Sequence, residues 1–189
     1  MVGGEMSAGR RGELVRVAFD LVASGGLEGL RLRQVAEGVG IDHSTLHHHF
    51  PTKQHLVEAV AEYATAQFHV TAPPAGPDPR FRLASHLDAL LTLLRHRPEL
   101  FVVTAELDLR ARRDPAVRAA LDRHESGWRT ALAGVFVTAG RDDEAVAEAT
   151  AETVIAAVKG VRLTPELAPA VFARLAAVWT DGTEATEEE

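Results

Sequence analysis

Apolar residues recur at helical spacing along most of this chain, and no segment alternates apolar and polar as a half-buried strand would. Leu14, Val17, Ala18, Leu21 and Val22 form the first stripe, and Gly25-Gly26 marks its end. From Leu32 to Leu56 the pattern becomes compact. Val35, Ala36, Val39, Ile41, Leu46 and Phe50 are spaced so that two short crossed helices share one small core. Gly40 falls at the turn between them, and the small Ala36 sits where one helix lets the other come close. That is the physical description of a helix-turn-helix, whose second helix can enter the DNA major groove. The next helix runs from Lys53 to about Val70, with Leu56, Val57, Val60 and Ala64 on one face and Thr52 as its N-cap. Thr71–Pro79 holds four of the nine prolines and reads as a linker or long loop.

Beyond it the pattern predicts helices over about 80–97, 98–113 and 115–138, the last opened by Asp114-Pro115. Asp142 caps another, to about Lys159. Thr164-Pro165-Glu166 opens a final one, to about Trp179. The expected fold is all-α, about nine helices: a three-helix N-terminal domain over 1–52, a helical domain over 53–180, and an acidic, disordered tail over 181–189.

Composition narrows the class. With 46% hydrophobic residues the 189-residue chain can bury a core without crosslinks. The absence of Cys excludes disulfides, Cys-based zinc sites and a thiol nucleophile. No apolar run is long enough to span a bilayer, and the N-terminus lacks the apolar core of a secretory signal, so a cytoplasmic protein without membrane partners is expected. The net charge of −7 opposes simple DNA affinity. Residues 1–70 carry six Lys/Arg against eight Asp/Glu. A cationic face must therefore be assembled from Arg10, Arg11, Arg31, Arg33 and Lys53, with protonated His, and modest non-specific binding follows.

The second helix of the motif, His43–His49, has Asp42 placed as its N-cap. Ser44 and Thr45 carry hydroxyls suited to base edges or phosphates, and His47 and His48 follow on the exposed side. His43 and His47, four apart, have a bidentate metal spacing, but only Asp42 and His55 are near to complete a tetrahedral set. No metal and no cofactor is expected. A Gly-flanked Ser, a metal-binding His-Glu pair and a phosphate-cradling loop are all missing, so no catalytic residues are assigned and an enzyme is not expected. The alternatives are a His-dependent hydrolytic enzyme and a helical protein-interaction adaptor.

Val35-Ala36, Gly40, Thr45-Leu46, Phe50 and Lys53, in this order and spacing, resemble the N-terminal DNA-binding domain of TetR-family transcriptional regulators, over roughly Leu14–Val60. The resemblance implies a homodimeric repressor, released from palindromic double-stranded operator DNA by a small-molecule effector. By it, Thr45 sits at the groove, and Lys53 and His49 meet phosphate. Two positions depart from the family pattern: His47 replaces the usual Tyr, and Arg31 replaces the usual Thr cap. Arg31 then lies where the DNA backbone passes, and Arg33, on the exposed face of the same helix, is placed to reach a phosphate or a base. The DNA-binding candidates are thus Arg31, Arg33, Ser44, Thr45, His47, His48, His49 and Lys53.

Inward-looking positions after the motif make Phe68, Leu87, Leu91, Phe101, Thr104, His124 and Trp128 candidates for an effector pocket, against the plainer reading that they are ordinary core. The last two helices pair a small-residue face with a stripe ending at Val178, and the resemblance implies that they dimerise into a four-helix bundle. Val146, Ala149, Thr153, Ala157, Leu167, Val171 and Leu175 are the interface candidates; the alternative is closure of the monomer core.

Overall fold

The computed structural model describes residues 2–137 and 144–181, with side chains from Gly9 to Val137 and Glu144 to Ala177. Among the described residues there are nine α-helices, two short 3-10 turns and no strand. The helices are α1 (Val2–Gly29), α2 (Leu32–Val39), α3 (His43–His49), α4 (Lys53–Ala66), α5 (Pro79–His96), α6 (Pro98–Ala111), α7 (Pro115–Val137), α8 (Glu144–Gly160) and α9 (Ala168–Asp181). The all-α expectation holds. The expected cap at Asp142 and the acidic tail after Asp181 lie outside the described residues.

The chain divides into two compact units. One contains the chain to Gln67 together with Glu99–Asp122; the other contains Phe68–Pro98 and the chain from Arg123 onward. In the first unit α1 packs on α2 and α4, and α2 on α3. Leu14, Ala18, Phe19 and Val22 line the inner face of α1 against a core that includes Val35, Ala36, Leu46, Phe50 and Leu56. The α1 helix breaks at Gly26, whose φ of 67° and ψ of 173° are cheap only for glycine. Beyond the break the Leu27 N–H donates to Glu106 Oε2 at 3.1 Å and the Leu27 carbonyl accepts from Lys53 Nζ at 3.0 Å. Long-range side chains thus satisfy backbone groups that the kink frees.

Two expected boundaries shift. The α4 helix stops at Ala66 and continues as a 3-10 turn over Gln67–Thr71 rather than as α-helix to Val70. Thr65 and Thr71 each turn a hydroxyl onto a backbone carbonyl three or four residues back, and Pro73-Pro74 cannot extend the ladder. Likewise Thr164 makes no side-chain cap. Pro165–Leu167 is a 3-10 turn, and α9 begins at Ala168 with Pro169 in its first turn.

In the second unit α9 packs against α5 and α8. His86, on α5, is 1% exposed with both ring nitrogens bonded. Its Nδ1–H meets the Thr71 carbonyl, and its Nε2 accepts from Trp128 Nε1 at 3.0 Å. These roles fix the neutral tautomer, and burial holds its pKa below the ordinary value.

Candidate nucleic-acid interface

The turn between α2 and α3 is built from the sequence upward. Gly40 adopts φ 71°, ψ 33°, the left-handed conformation that costs glycine least. Its N–H bonds to the Glu37 carbonyl at 3.1 Å and the Ile41 N–H to the Ala36 carbonyl at 3.0 Å, a Schellman closure that satisfies the end of α2. Asp42 then caps α3, its Oδ1 accepting from the Thr45 N–H at 2.8 Å. Leu46 and Phe50, both fully buried, hold the other face of α3 inward. Thr52 caps α4 through the His55 N–H at 3.3 Å.

This geometry presents one face of α3 outward. Ser44 and His48 are exposed, and Thr45, His47 and His49 are half-buried. The His43 and His47 rings meet edge to face at 4.4 Å, and His47 Nδ1 lies 3.2 Å from the Pro51 carbonyl. With Nδ1–H donating there, Nε2 is the nitrogen available to an outside partner. Beside α3 a hollow of about 450 Å³ is lined by Arg33, Ala36, Glu37, Ile41, Asp42 and His43. Among the described residues no cluster of three metal-ligating side chains occurs.

The cations are more engaged than the sequence suggests. Arg33 pairs with Glu37 at 2.8 Å in an exposed i,i+4 bridge of the kind that contributes little. Arg31 folds onto the carbonyls of Glu28 and Leu30. Lys53 is half-buried against the Leu27 carbonyl, and that burial, with Arg31 nearby, lowers its pKa. Arg10 pairs with Glu13 at 2.9 Å, and Arg11 stands 4.6 Å over the Phe50 ring.

Several contacts that support this face escaped the sequence reading. A Cβ on Gly38 would meet Val17 Cγ1 at 2.7 Å, so Gly38, like Ala36, sets how closely α2 lies on α1. Asp114 Oδ1 accepts from Gln54 Nε2 at 3.0 Å while the same carboxylate caps α7. Burial works against its charge, but Arg110 and the N–H groups of Val117 and Ala116 outweigh it and hold the carboxyl below its usual range. Glu106 and Asp114 lie far along the chain from the partners they serve, and no local pattern announces such pairings. Gly38 carried a signal, a second glycine two residues before the turn glycine, Gly40.

The other candidates fall apart into groups. Phe101 and Thr104 belong to the first unit, both buried, with the Thr104 hydroxyl donating to the Leu100 carbonyl at 2.8 Å. Phe68, Leu87, Leu91, His124 and Trp128 belong to the second. There the His124 ring lies 6.0 Å from Phe68 and 6.4 Å from Trp128. On α8, Ala147, Ala151, Val154 and Val158 face the core, whereas Val146, Ala149 and Thr153 are exposed and Ala157 is half-buried. Leu167 is exposed, Val171 and Leu175 are half-buried, and the Val178 side chain lies outside those described.

An all-helical protein with a helix-turn-helix in its first unit is the class this fold and site define. Residues 14–60 match the model of the bacterial regulatory proteins of the tetR family. The chain is 35% identical over 65 residues to the class A tetracycline repressor protein from transposon 1721 of Escherichia coli, covering 34% of this chain and 30% of that one. It is 29% identical over 147 residues to the HTH-type transcriptional regulator CymR of Pseudomonas putida, covering 70% and 69% of the two chains. A crystal structure of a transcriptional regulator from Rhodococcus sp. Rha1 shares the fold, with a TM-score of 0.80 at 24% identity over 91% of this chain and 96% of that one. The aligned segment spans about a third of the length of the first curated relatives. Over residues 14–60, a quarter of the chain, it is thus similar to the tetR family of bacterial regulatory proteins.

Proposed function

We propose that the protein is a DNA-binding transcriptional regulator, acting as a homodimer on a palindromic operator and released by a small-molecule effector. The observation that carries this reading is the α2–Gly40–α3 arrangement, with Leu46 and Phe50 anchored inward and Ser44, Thr45, His47 and His48 on the opposite side of a short, capped helix. Such a helix enters the major groove while its neighbours contact the backbone. Arg31, Arg33, His49 and Lys53 are the proposed phosphate contacts, each exchanging a present intramolecular partner or a solvated position for a phosphate oxygen.

Residues 1–52 form the proposed DNA-binding domain and 53–180 the effector and dimerisation domain. The exposed Val146, Ala149, Thr153 and Leu167, with the half-buried Ala157, Val171 and Leu175, supply a surface of small and apolar side chains for self-association. Two-fold symmetry would place the two recognition helices about one DNA turn apart, roughly 34–36 Å. The aromatic group of Phe68, His124 and Trp128, with Leu87 and Leu91, supports an effector site of apolar walls and a few polar groups within the second unit. Effector and operator would each weaken the other's binding by the same factor. No catalytic role is assigned, and the site of action is the cytoplasm.

Fluorescence polarisation against duplexes from the promoter beside the gene tests the reading. Saturable, salt-sensitive binding by the folded protein is expected, and no binding at low salt overturns it.

A further inference from the structure

The cap of α3 does more than end a backbone ladder. The Ser44 hydroxyl lies 2.5 Å from Asp42 Oδ1, and the Thr45 hydroxyl lies 3.0 Å from Asp42 Oδ2. These bonds hold the Asp42 carboxyl down to about 2, with Ser44 the largest cause. At neutral pH the carboxylate therefore has no proton to give, and both bonds must be donated by the hydroxyls. A hydroxyl has one proton. With it committed to Asp42, each of Ser44 and Thr45 presents only lone pairs to anything approaching from outside. Turning either hydroxyl outward as a donor would remove a charge-assisted bond from the carboxylate.

The major-groove edges of the bases divide along that line. Adenine N6 and cytosine N4 are amino donors, whereas guanine O6 and N7, adenine N7 and thymine O4 are acceptors, so only adenine and cytosine offer a donor.

We propose that Asp42 sets the base preference of this helix, fixing Ser44 and Thr45 as acceptors so that the strand they face carries adenine or cytosine at the contacted positions. The inference rests on the DNA-binding reading above and goes beyond it. Ser44 and Thr45 are the reading residues. Asp42 acts through them, as a positioning residue.

The substitution Asp42→Asn separates this from a merely structural cap. Asparagine is as good an N-cap as aspartate, and its carbonyl can still accept from the Thr45 N–H. Its NH₂ group takes the place of Oδ2 and donates to the Thr45 hydroxyl, which frees that proton to point outward, while Ser44 still donates to the carbonyl. The experiment selects binding sites from a pool of random duplexes with the full-length wild-type chain and with D42N. Polarisation then measures duplexes in which one contacted pair is inverted, A·T to T·A or C·G to G·C, leaving composition unchanged. S44A and T45V identify those pairs as the positions where selection relaxes.

The wild-type protein is expected to select A or C there, and inversion to weaken binding about fivefold per contacted pair, the worth of one net hydrogen bond. In D42N the penalty at the pair that T45V relaxes falls to about twofold or less, or reverses towards G or T, while the pair that S44A relaxes keeps its penalty and the thermal midpoint is little changed. The inference is overturned if D42N selects the same bases with the same inversion penalty, or if the wild type selects G or T where S44A and T45V relax selection. A folded wild-type protein that enriches no sequence overturns the DNA-binding reading, and this inference with it.

Discussion

His86 illustrates how a single side chain can be read from its partners. It donates to Thr71, accepts from Trp128, and has no room for a second proton without losing one of the two bonds. Burial lowers its folded-state pKa from the ordinary 6.5. Below that value the unfolded chain binds a proton that the folded chain resists, so stability is complete above about pH 7 and declines as the pH falls through 6.5. His124 adds to the same trend, through burial first and the neighbouring His69 and Arg162 charges next. Thermal midpoints across about pH 8 to 5 are expected to fall on the acid side, and His86→Gln, which can keep both bonds, to flatten part of the slope. At the proposed DNA face, His47→Ala should weaken operator binding with little change in thermal midpoint, and an unchanged affinity rules the residue out. The Asp42 cap was legible from its place before a helical stripe. The direction in which Ser44 and Thr45 donate was not, because spacing does not orient a hydroxyl.

At the scale of elements, α2 and α3 followed from local chemistry. Leu46 and Phe50 had to face inward, Gly40 had to supply a left-handed turn, and Asp42 and Thr52 had to cap, all within a few residues of one another. The end of α4 was less legible, because Thr65 and Thr71 compete with the helix ladder through their own hydroxyls. The closeness of α1 and α2 was also hidden until Gly38 met Val17. Gly38→Ala should therefore push α2 away from α1, costing about 1–3 kcal/mol as an overpacked contact does. Operator affinity should fall further than stability alone requires, since α2 positions α3. A midpoint and affinity equal to the wild type's would show that Val17 gives way freely.

For the molecule as a whole, two quantities decide whether it can work as proposed: charge and self-association. With the proposed phosphate contacts confined to Arg31, Arg33, His49 and Lys53 of each protomer, operator affinity should depend on salt as about six to eight phosphates per dimer require by the counterion slope. Ala149→Asp on the exposed side of α8 should leave the fold intact, shift light scattering from dimer to monomer, and weaken operator binding at least about tenfold, because one half-site alone retains little of the affinity. A dimer that survives this substitution removes α8 from the interface. The first unit also has a consequence for engineering. Leu27 leans on Glu106 and Gln54 on Asp114, so residues from α6 and the start of α7 complete a head that begins at the N-terminus. A transplant cut at Gln67 would carry the recognition helix but leave behind the groups that close its support. Exchanging DNA specificity between proteins of this build therefore calls for grafting two separate stretches of chain, or for rewriting α3 in place.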